Sequence, residues 1–237
     1  MATETPTIKR ENRVNIVSFM KFAKKISDTF STGQITLTTK VEEEGKEVTK
    51  YLNIKVTSKI DLTEFSDKRV QMQGFFTGNM YEGKTSLQMQ ITSIKELPTG
   101  KGNSAITFTT YTKFVKEGQG EANWTSAQAS LRFNAGKKDA ENIQYVNLEL
   151  SGSKAQLNLK DGETITVKGF LKAGWVPAND TRPGYTKPVL VALEVIERSG
   201  EGTAPVATPA AEAPSDAAAP APTDAPAVTI DEDEIPF

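Results

Sequence analysis

Two stretches of the sequence recur about 95 residues further along the chain. Residues 51–56 (Tyr-Leu-Asn-Ile-Lys-Val) match residues 145–150 at an offset of 94, and residues 70–76 match residues 165–171 at an offset of 95. A nearly constant offset indicates that one folding unit is present twice in the same order. The repeat therefore predicts two similar units of about 90 to 100 residues each.

Each unit has the pattern of short β-strands. Residues 33–41 alternate apolar and polar side chains, residues 42–47 form a charged turn around Gly45, and residues 48–56 alternate again. This order predicts a β-hairpin. The other strands predicted in the first unit span residues 13–22, 69–77 and 85–95. A single helical turn at residues 61–66, capped by Asp61 or Thr63, is predicted between the third and fourth strands.

This order of elements is typical of an OB-fold. An OB-fold has five strands, a helical turn between the third and fourth, and often a strand glycine, here Gly74 or Gly169, where the small barrel bends. The predicted fold is all-β, with two tandem OB-folds, each a five-stranded Greek-key barrel, and a disordered acidic tail. Two small sandwiches or SH3-like barrels are the alternatives. The predicted segments are a first domain at 1–97, a linker at 98–103, a second domain at 104–200, an Ala/Pro-rich linker at 201–230 and an acidic tip at 231–237.

The charge of the chain is divided unevenly along its length. Residues 1–200 carry all 28 Lys and Arg against 22 Asp and Glu, a net +6, whereas residues 201–237 carry 8 acids and no base, a net −8. A basic body with an acidic extension is typical of a polyanion-binding protein. Residues 201–229 contain no aromatic residue and many Ala and Pro. Such a segment buries too little apolar area to fold, so we expect it to be disordered.

The sequence contains neither Cys nor His, which excludes thiol nucleophiles, Ser-His-Asp triads and the usual zinc sites. The acidic residues between Glu42 and Glu47 are interpreted as a solvated turn, not as a metal cluster. The Gly-x-Gly at 100–102 and at 118–120 lacks the Lys-Ser/Thr of a phosphate loop. We therefore expect a protein that is not an enzyme and has no metal or cofactor. Because no long apolar run occurs, we also expect a soluble, cytoplasmic protein with no membrane partner.

The acidic tip combines a block of carboxylates with three apolar residues at its end. A terminal aromatic ring with its own carboxylate can dock in an apolar pocket flanked by Arg or Lys, while the acids are attracted to a basic rim. The alternative is a purely solubilising tail, which has no need of apolar residues. The predicted partner-binding residues are Asp231, Glu232, Asp233, Glu234, Ile235, Pro236 and Phe237.

This tip resembles the C-terminal tip of the bacterial single-stranded DNA-binding protein family. The resemblance extends to the preceding Pro-rich linker and to residues 12–17 (Asn-Arg-Val-Asn-Ile-Val). It implies sequence-nonspecific binding of single-stranded DNA in replication, recombination and repair, with proteins of those processes recruited through the tip. Two units per chain look like the two-domain bacterial variants or a phage-encoded relative. If four OB-folds make the functional unit, as in the tetramers that the chain resembles, we expect a homodimer, with a monomer as the alternative.

Aromatic and basic residues that point away from the predicted cores are the candidates for contact with DNA. Single strands are bound by stacking on aromatic rings and by positive charge along the backbone. Half-exposed strand aromatics, and loop tryptophans that pack on their own barrel, are the alternative interpretation. The candidates lie on outward strand positions, in the loops before the fifth strands, the second of which spans residues 175–187, and, for Trp124, in the loop before Ser126. They are Tyr51, Lys55, Tyr81, Lys84, Tyr111, Lys113, Trp124, Arg132, Trp175, Arg182, Tyr185 and Lys187.

A second function from another class is consistent with the same features. A β-domain adaptor or phage assembly factor that does not bind DNA would also use a docking tail. An OB-fold nuclease is disfavoured because the sequence lacks the acid/base and metal-binding residues that a nuclease needs. Salt-sensitive binding to oligo-dT separates the first two functions, because an adaptor has no reason to prefer single strands.

Overall fold

The structure, a computed structural model, describes residues 10–99, 104–119, 121–136 and 142–199. The described residues all belong to one compact unit. The predicted tail and tip, and residues 100–103 of the predicted linker, lie outside the described residues.

The described residues form ten β-strands in two groups of five. The first group contains β1 (Asn12–Ser27), β2 (Phe30–Glu43), β3 (Lys46–Ser58), β4 (Arg69–Tyr81) and β5 (Lys84–Glu96). The second group contains β6 (Ala105–Glu117), β7 (Thr125–Asn134), β8 (Ile143–Gly152), β9 (Thr164–Val176) and β10 (Tyr185–Arg198), with the short helix α1 (Lys154–Leu157) before β9.

Each group closes into a barrel with the same connectivity. In the first barrel β1 pairs with β2, β2 with β3, β3 with β5, β5 with β4, and β4 returns to β1. In the second barrel β6 to β10 follow the same order. The β3–β5 and β8–β10 pairs are parallel and the other pairs are antiparallel. This is the five-stranded Greek-key barrel of an OB-fold, so the prediction of an all-β chain with two OB-folds is confirmed.

The core of each barrel is made by the strand positions that alternate inward. These positions are filled by branched and unbranched aliphatic side chains that are fully excluded from solvent. In the first barrel they include Met20, Ile35, Val56, Met72 and Met89, and in the second Ala129, Leu150, Ile165, Val167 and Leu190.

The repeated strand glycine lies where the barrel wall bends. Gly74 on β4 pairs with Val14 on one side and with Ile91 on the other. A Cβ atom on Gly74 would overlap the carbonyl oxygen of Gln90, and a Cβ atom on Gly169 would overlap that of Val191. No side chain fits between backbones at this distance, so glycine at both positions is required for barrel closure.

The connection between the third and fourth strands differs between the barrels. In the first it contains a 3₁₀-helix, Thr63–Phe65, preceded by Asp61. The Asp61 carboxylate accepts hydrogen bonds from the hydroxyl and the backbone N–H of Thr63 and pairs with Lys25, and these contacts lower its pKa to about 2. The predicted helical turn is therefore present, but its N-cap is Leu62 and not Asp61 or Thr63, and the Asp61 carboxylate fixes the chain just before it. In the second barrel α1 occupies this place.

The two barrels are joined by antiparallel pairing of their first strands. Val14 on β1 lies opposite Ile106 on β6, and Asn12 lies opposite Phe108. Val14 and Ile106 are themselves equivalent, because Val14 pairs with Gly74 as Ile106 pairs with Gly169. An antiparallel pair centred on equivalent residues has a local two-fold axis, and this pseudo-dyad relates the two barrels.

Side chains from both barrels pack around this pseudo-dyad. The rings of Phe76 and Phe108 meet edge to face, with centroids 6.3 Å apart. The Asn12 side chain donates to the carbonyl oxygen of Phe76 and accepts from its N–H, at 2.8 and 2.9 Å. The buried cores of the barrels are thus continuous across the pairing of β1 with β6. Within the described part of the chain, no helix is long and apolar enough to cross a membrane.

Candidate nucleic-acid interface

The outer surface of the β2–β3 hairpin carries a row of polar side chains that we call the first outer ladder. As predicted, Leu52, Ile54 and Val56 point inward and the residues between them point outward. The ladder pairs Tyr51 with Thr38, Asn53 with Thr36, and Lys55 with Gln34 across the two strands.

The second barrel repeats this arrangement in the same register. The second outer ladder, on β7 and β8, pairs Tyr145 with Arg132, Asn147 with Ser130, and Glu149 with Gln128. The two tyrosine side chains are about equally exposed, at 53% and 51%. A cross-strand hydrogen bond is also repeated: Thr36 Oγ1 donates to Asn53 Oδ1 at 2.9 Å, and Ser130 Oγ is 3.0 Å from Asn147 Oδ1.

The charges on the two ladders differ. Lys55 of the first ladder is replaced by Glu149 in the second, where Lys187 from β10 forms an ion pair with it. The second ladder has its own cation in Arg132, directly opposite Tyr145. Among the described residues neither Lys55 nor Arg132 forms an ion pair, so each ladder offers one exposed tyrosine and one available cation.

The loop before the last strand is shorter than the prediction of residues 175–187. Trp175 belongs to β9 and Tyr185 begins β10, because the two strands continue to pair as far as Val176 opposite Tyr185. The remaining loop is folded by Asn179, whose Oδ1 accepts from the backbone N–H groups of Thr181 and Arg182. The guanidinium of Arg182 lies over the Tyr185 ring, 4.9 Å from its centroid.

Trp175 is half-buried between the two barrels. Lys50 of β3 places its Nζ 4.4 Å from the centroid of the indole ring, and the same Nζ pairs with Glu43 at 2.7 Å. The Thr186 hydroxyl donates to the carbonyl oxygen of Tyr51 at 2.8 Å. These contacts join the β2–β3 hairpin of the first barrel to the β9–β10 hairpin of the second.

A cavity of about 350 Å³ lies beside this contact, lined by residues of both barrels that include Thr39, Lys172, Trp175 and Lys187. The residue of β7 equivalent to Thr39 is Phe133, whose ring packs where a side chain on Gly78 would otherwise lie. The Phe133 ring thus packs against β4, whereas the smaller Thr39 lines the cavity.

The remaining predicted residues lie on other elements, and one of them adjoins a ladder, because Lys113 on β6 lies opposite Gln128 of the second outer ladder. Tyr81 and Lys84 flank the two-residue turn between β4 and β5 and are exposed. On β6, the Lys113 Nζ lies over the Tyr111 ring, 5.5 Å from its centroid. Trp124 is exposed just before β7. No group of three or more potential metal ligands occurs in the described part of the chain.

Three exposed aromatic residues on the first strands are absent from the predictions. Phe19 and Phe22 lie on β1 and Phe114 lies on β6. An aromatic-x-Lys-Phe-x-Lys pattern at residues 19–24 and again at 111–116 was the signal that could have identified them. The offset of 92 in this strand differs from the 94 and 95 found in the later strands.

The fold is similar to that of solved single-stranded DNA binding protein structures from Thermus aquaticus. The crystal structure of the wild-type protein matches with a TM-score of 0.51 at 14% sequence identity, over 83% of this chain and 97% of that chain. A deletion mutant of the same protein matches with a TM-score of 0.50 at 14% identity, over 83% and 98%. No protein-family model and no curated protein sequence matches the chain.

The position of Trp175 predicts that its main contribution is to stability. The indole lies between the Lys50 ammonium and the backbone at Gly184, where it fills the space that a side chain would need. Replacing Trp175 with Ala removes these contacts, so we expect the free energy of unfolding to fall by about 2 kcal/mol. Tyr81→Ala removes an exposed ring and is expected to change it by less than about 0.5 kcal/mol. Urea unfolding of both variants measures the difference, and equal effects would show that Trp175 does not stabilise the barrel contact.

Proposed function

We propose that the chain binds single-stranded DNA without sequence preference and is not an enzyme. The observation that supports this most is the repetition of the outer ladder in both barrels, with an exposed tyrosine, an asparagine and an available cation in each. The likeness to a single-stranded DNA binding protein fold over most of both chains is consistent with it.

The ladder chemistry suits an unpaired strand. An exposed tyrosine ring can stack on any base, because every base has a π-face, and a nearby lysine or arginine can bind the adjacent phosphate. Asn53 and Asn147 each have Oδ1 engaged by a neighbouring strand hydroxyl. The exposed ring and the cation of each ladder supply stacking and charge, which depend little on base identity, and this favours binding without sequence preference.

The body of the chain supplies the electrostatic attraction. Residues 1–200 carry 28 basic and 22 acidic side chains, a net +6, so a polyanion is drawn to this part of the molecule. Attraction of this kind depends on release of counterions from the DNA and therefore weakens as salt is added.

The proposal includes the organisation and setting expected from the sequence. We propose that residues 1–97 and 104–200 act as two DNA-binding domains joined at 98–103, in a chain that functions in DNA replication, recombination and repair. We further propose that it works in the cytoplasm as a homodimer presenting four barrels, with a monomer as the alternative.

We also propose that residues 231–237, on the linker 201–230, recruit other proteins of DNA metabolism. The sequence supports this by ending an acidic block with Ile235, Pro236 and Phe237, which provide an apolar anchor. Because the extension from residue 201 carries −8 and is tethered to a body of +6, it also competes with DNA at low salt.

The first test is an oligo-dT titration at several salt concentrations. Affinity should fall with salt at a log–log slope of about −0.7 for each phosphate neutralised. Lys55→Gln and Arg132→Gln should each reduce the magnitude of this slope by about 0.7. Lys95→Gln on β5 is the matched control and should leave the slope unchanged. No preference for oligo-dT over duplex DNA, or a slope near zero, would favour the adaptor function instead.

The tip is tested by two truncations in the same titration. Deleting residues 231–237 should tighten binding to oligo-dT at low salt, with the difference disappearing at high salt as the charges are screened. Deleting Phe237 alone keeps every side-chain acid, so DNA affinity should hardly change. The immobilised variant should, however, no longer retain bacterial replication and repair proteins, because the apolar anchor is gone. Loss of DNA binding on removal of the tip would contradict a division into basic body and acidic recruiter.

A further inference from the structure

The first strand of each barrel carries the same arrangement of exposed aromatic and basic residues. The pattern aromatic-x-Lys-Phe-x-Lys occupies residues 19–24 on β1 and 111–116 on β6. Of its two variable positions, the first holds Met20 or Thr112 and the second holds Ala23 or Val115. We call residues 19–24 and 111–116 the strand-one motifs.

Both motifs place their central phenylalanine in a left-handed backbone conformation. Phe22 has φ 54° and Phe114 has φ 55°. Each lies in a bulge, where pairing with the next strand is interrupted between Lys21 and Lys24 or between Lys113 and Lys116. A bulky side chain is unfavourable in this conformation, and glycine is the residue that a left-handed bulge ordinarily contains.

Packing does not explain why phenylalanine occupies these bulges. Phe22 is 70% exposed and Phe114 is 67% exposed, so neither ring contributes to a core. A residue that is unfavourable for the backbone and unused in packing, and that recurs at equivalent places in both barrels, points to a function for its side chain.

The backbone just before each bulge is fixed by the rest of the barrel. Met20 donates its N–H to the carbonyl oxygen of Lys68 and accepts from the N–H of Asp67, at 2.9 and 2.8 Å. Thr112 makes the same two hydrogen bonds, both 2.9 Å, with Glu163 and Gly162. These bonds anchor the strand on which each phenyl ring is presented.

The charges around the rings favour a nucleic acid. Lys21 and Lys24 flank Phe22, and Lys113 and Lys116 flank Phe114. Within the described ranges none of these four lysines forms an ion pair, and Lys113 lies over Tyr111 of its own motif. If two copies of the chain met through these motifs, their lysines would be brought together and would repel.

We propose that Phe22 and Phe114 are a matched pair of base-stacking residues, one in each barrel. Each ring stacks on an unpaired base, and the lysines on either side bind the neighbouring phosphates. This inference rests on the proposed function and deepens it by extending the contact surface of each barrel from the outer ladder onto the first strand, where Lys21 lies opposite Gln34 and Lys113 lies opposite Gln128.

The test replaces each phenylalanine with glycine. Because glycine relieves the left-handed conformation, Phe22→Gly and Phe114→Gly should fold with melting temperatures at or above that of the original chain. Each should bind oligo-dT about tenfold more weakly, and the double variant more weakly still. Leu193→Ala, which removes an exposed apolar side chain on β10, is the control and should leave the affinity unchanged.

A second ligand separates bases from backbone. An oligonucleotide of the same length built of abasic sites keeps the phosphates and lacks the bases, so its affinity should be the same for the original chain and for both glycine variants. If the original chain does not bind oligo-dT, the proposed function and this inference both fail. If it binds and the double variant binds equally well, only the stacking proposal is overturned.

Two further outcomes would also overturn the stacking proposal. Equal losses for oligo-dT and for the abasic oligonucleotide would show that the rings do not act on bases. A change in the molar mass measured by light scattering, with unchanged affinity per chain, would assign the rings to self-association.

Discussion

The antiparallel pairing of β1 with β6 is the constraint on which the rest of the molecule depends. Its register places Val14 opposite Ile106, the equivalent residue of the other barrel, and thereby creates the pseudo-dyad. The outer ladders and the strand-one motifs are consequently related in pairs across one molecule. Because side chains alternate along a strand, a slip of one residue in this pairing would turn the inward set of one first strand outward, and the shared core would be lost.

The pseudo-dyad relates two barrels whose backbones are alike but whose surface side chains differ. Thr39 and Phe133 occupy equivalent places, and the smaller Thr39 lines a cavity whereas the Phe133 ring packs against Gly78. The ion pair beside the fourth strand is reversed in polarity, with Lys68 and Glu96 in the first barrel and Glu163 and Arg198 in the second. A repeated backbone has thus been retained while the charges of the barrels have diverged, which predicts unequal contributions to binding a single strand.

The sequence predicted those parts of the fold and site that depend on local periodicity. Alternation alone placed Tyr51 and Lys55 outward, and the offset of the repeats predicted two barrels; the structure confirms both. The sequence places Trp175 in a loop, whereas in the structure it lies on β9 against Lys50. Periodicity cannot predict this contact, because the two residues are distant in sequence. The sequence does not predict the role of Phe22, because a phenylalanine in a strand pattern predicts an extended residue. Its left-handed φ depends on the bulge in β1, which the alternation of side chains does not indicate.

The claim that single-stranded DNA runs over the outer surfaces of both barrels is tested most directly by photo-crosslinking. Oligo-dT carrying 5-iodouracil at defined positions is irradiated with the full chain, and the attached peptides are identified by mass spectrometry. The account predicts crosslinks on the outer ladders and strand-one motifs of both barrels, which disappear at high salt. Crosslinks absent from these surfaces, or equally strong with duplex DNA, would contradict it.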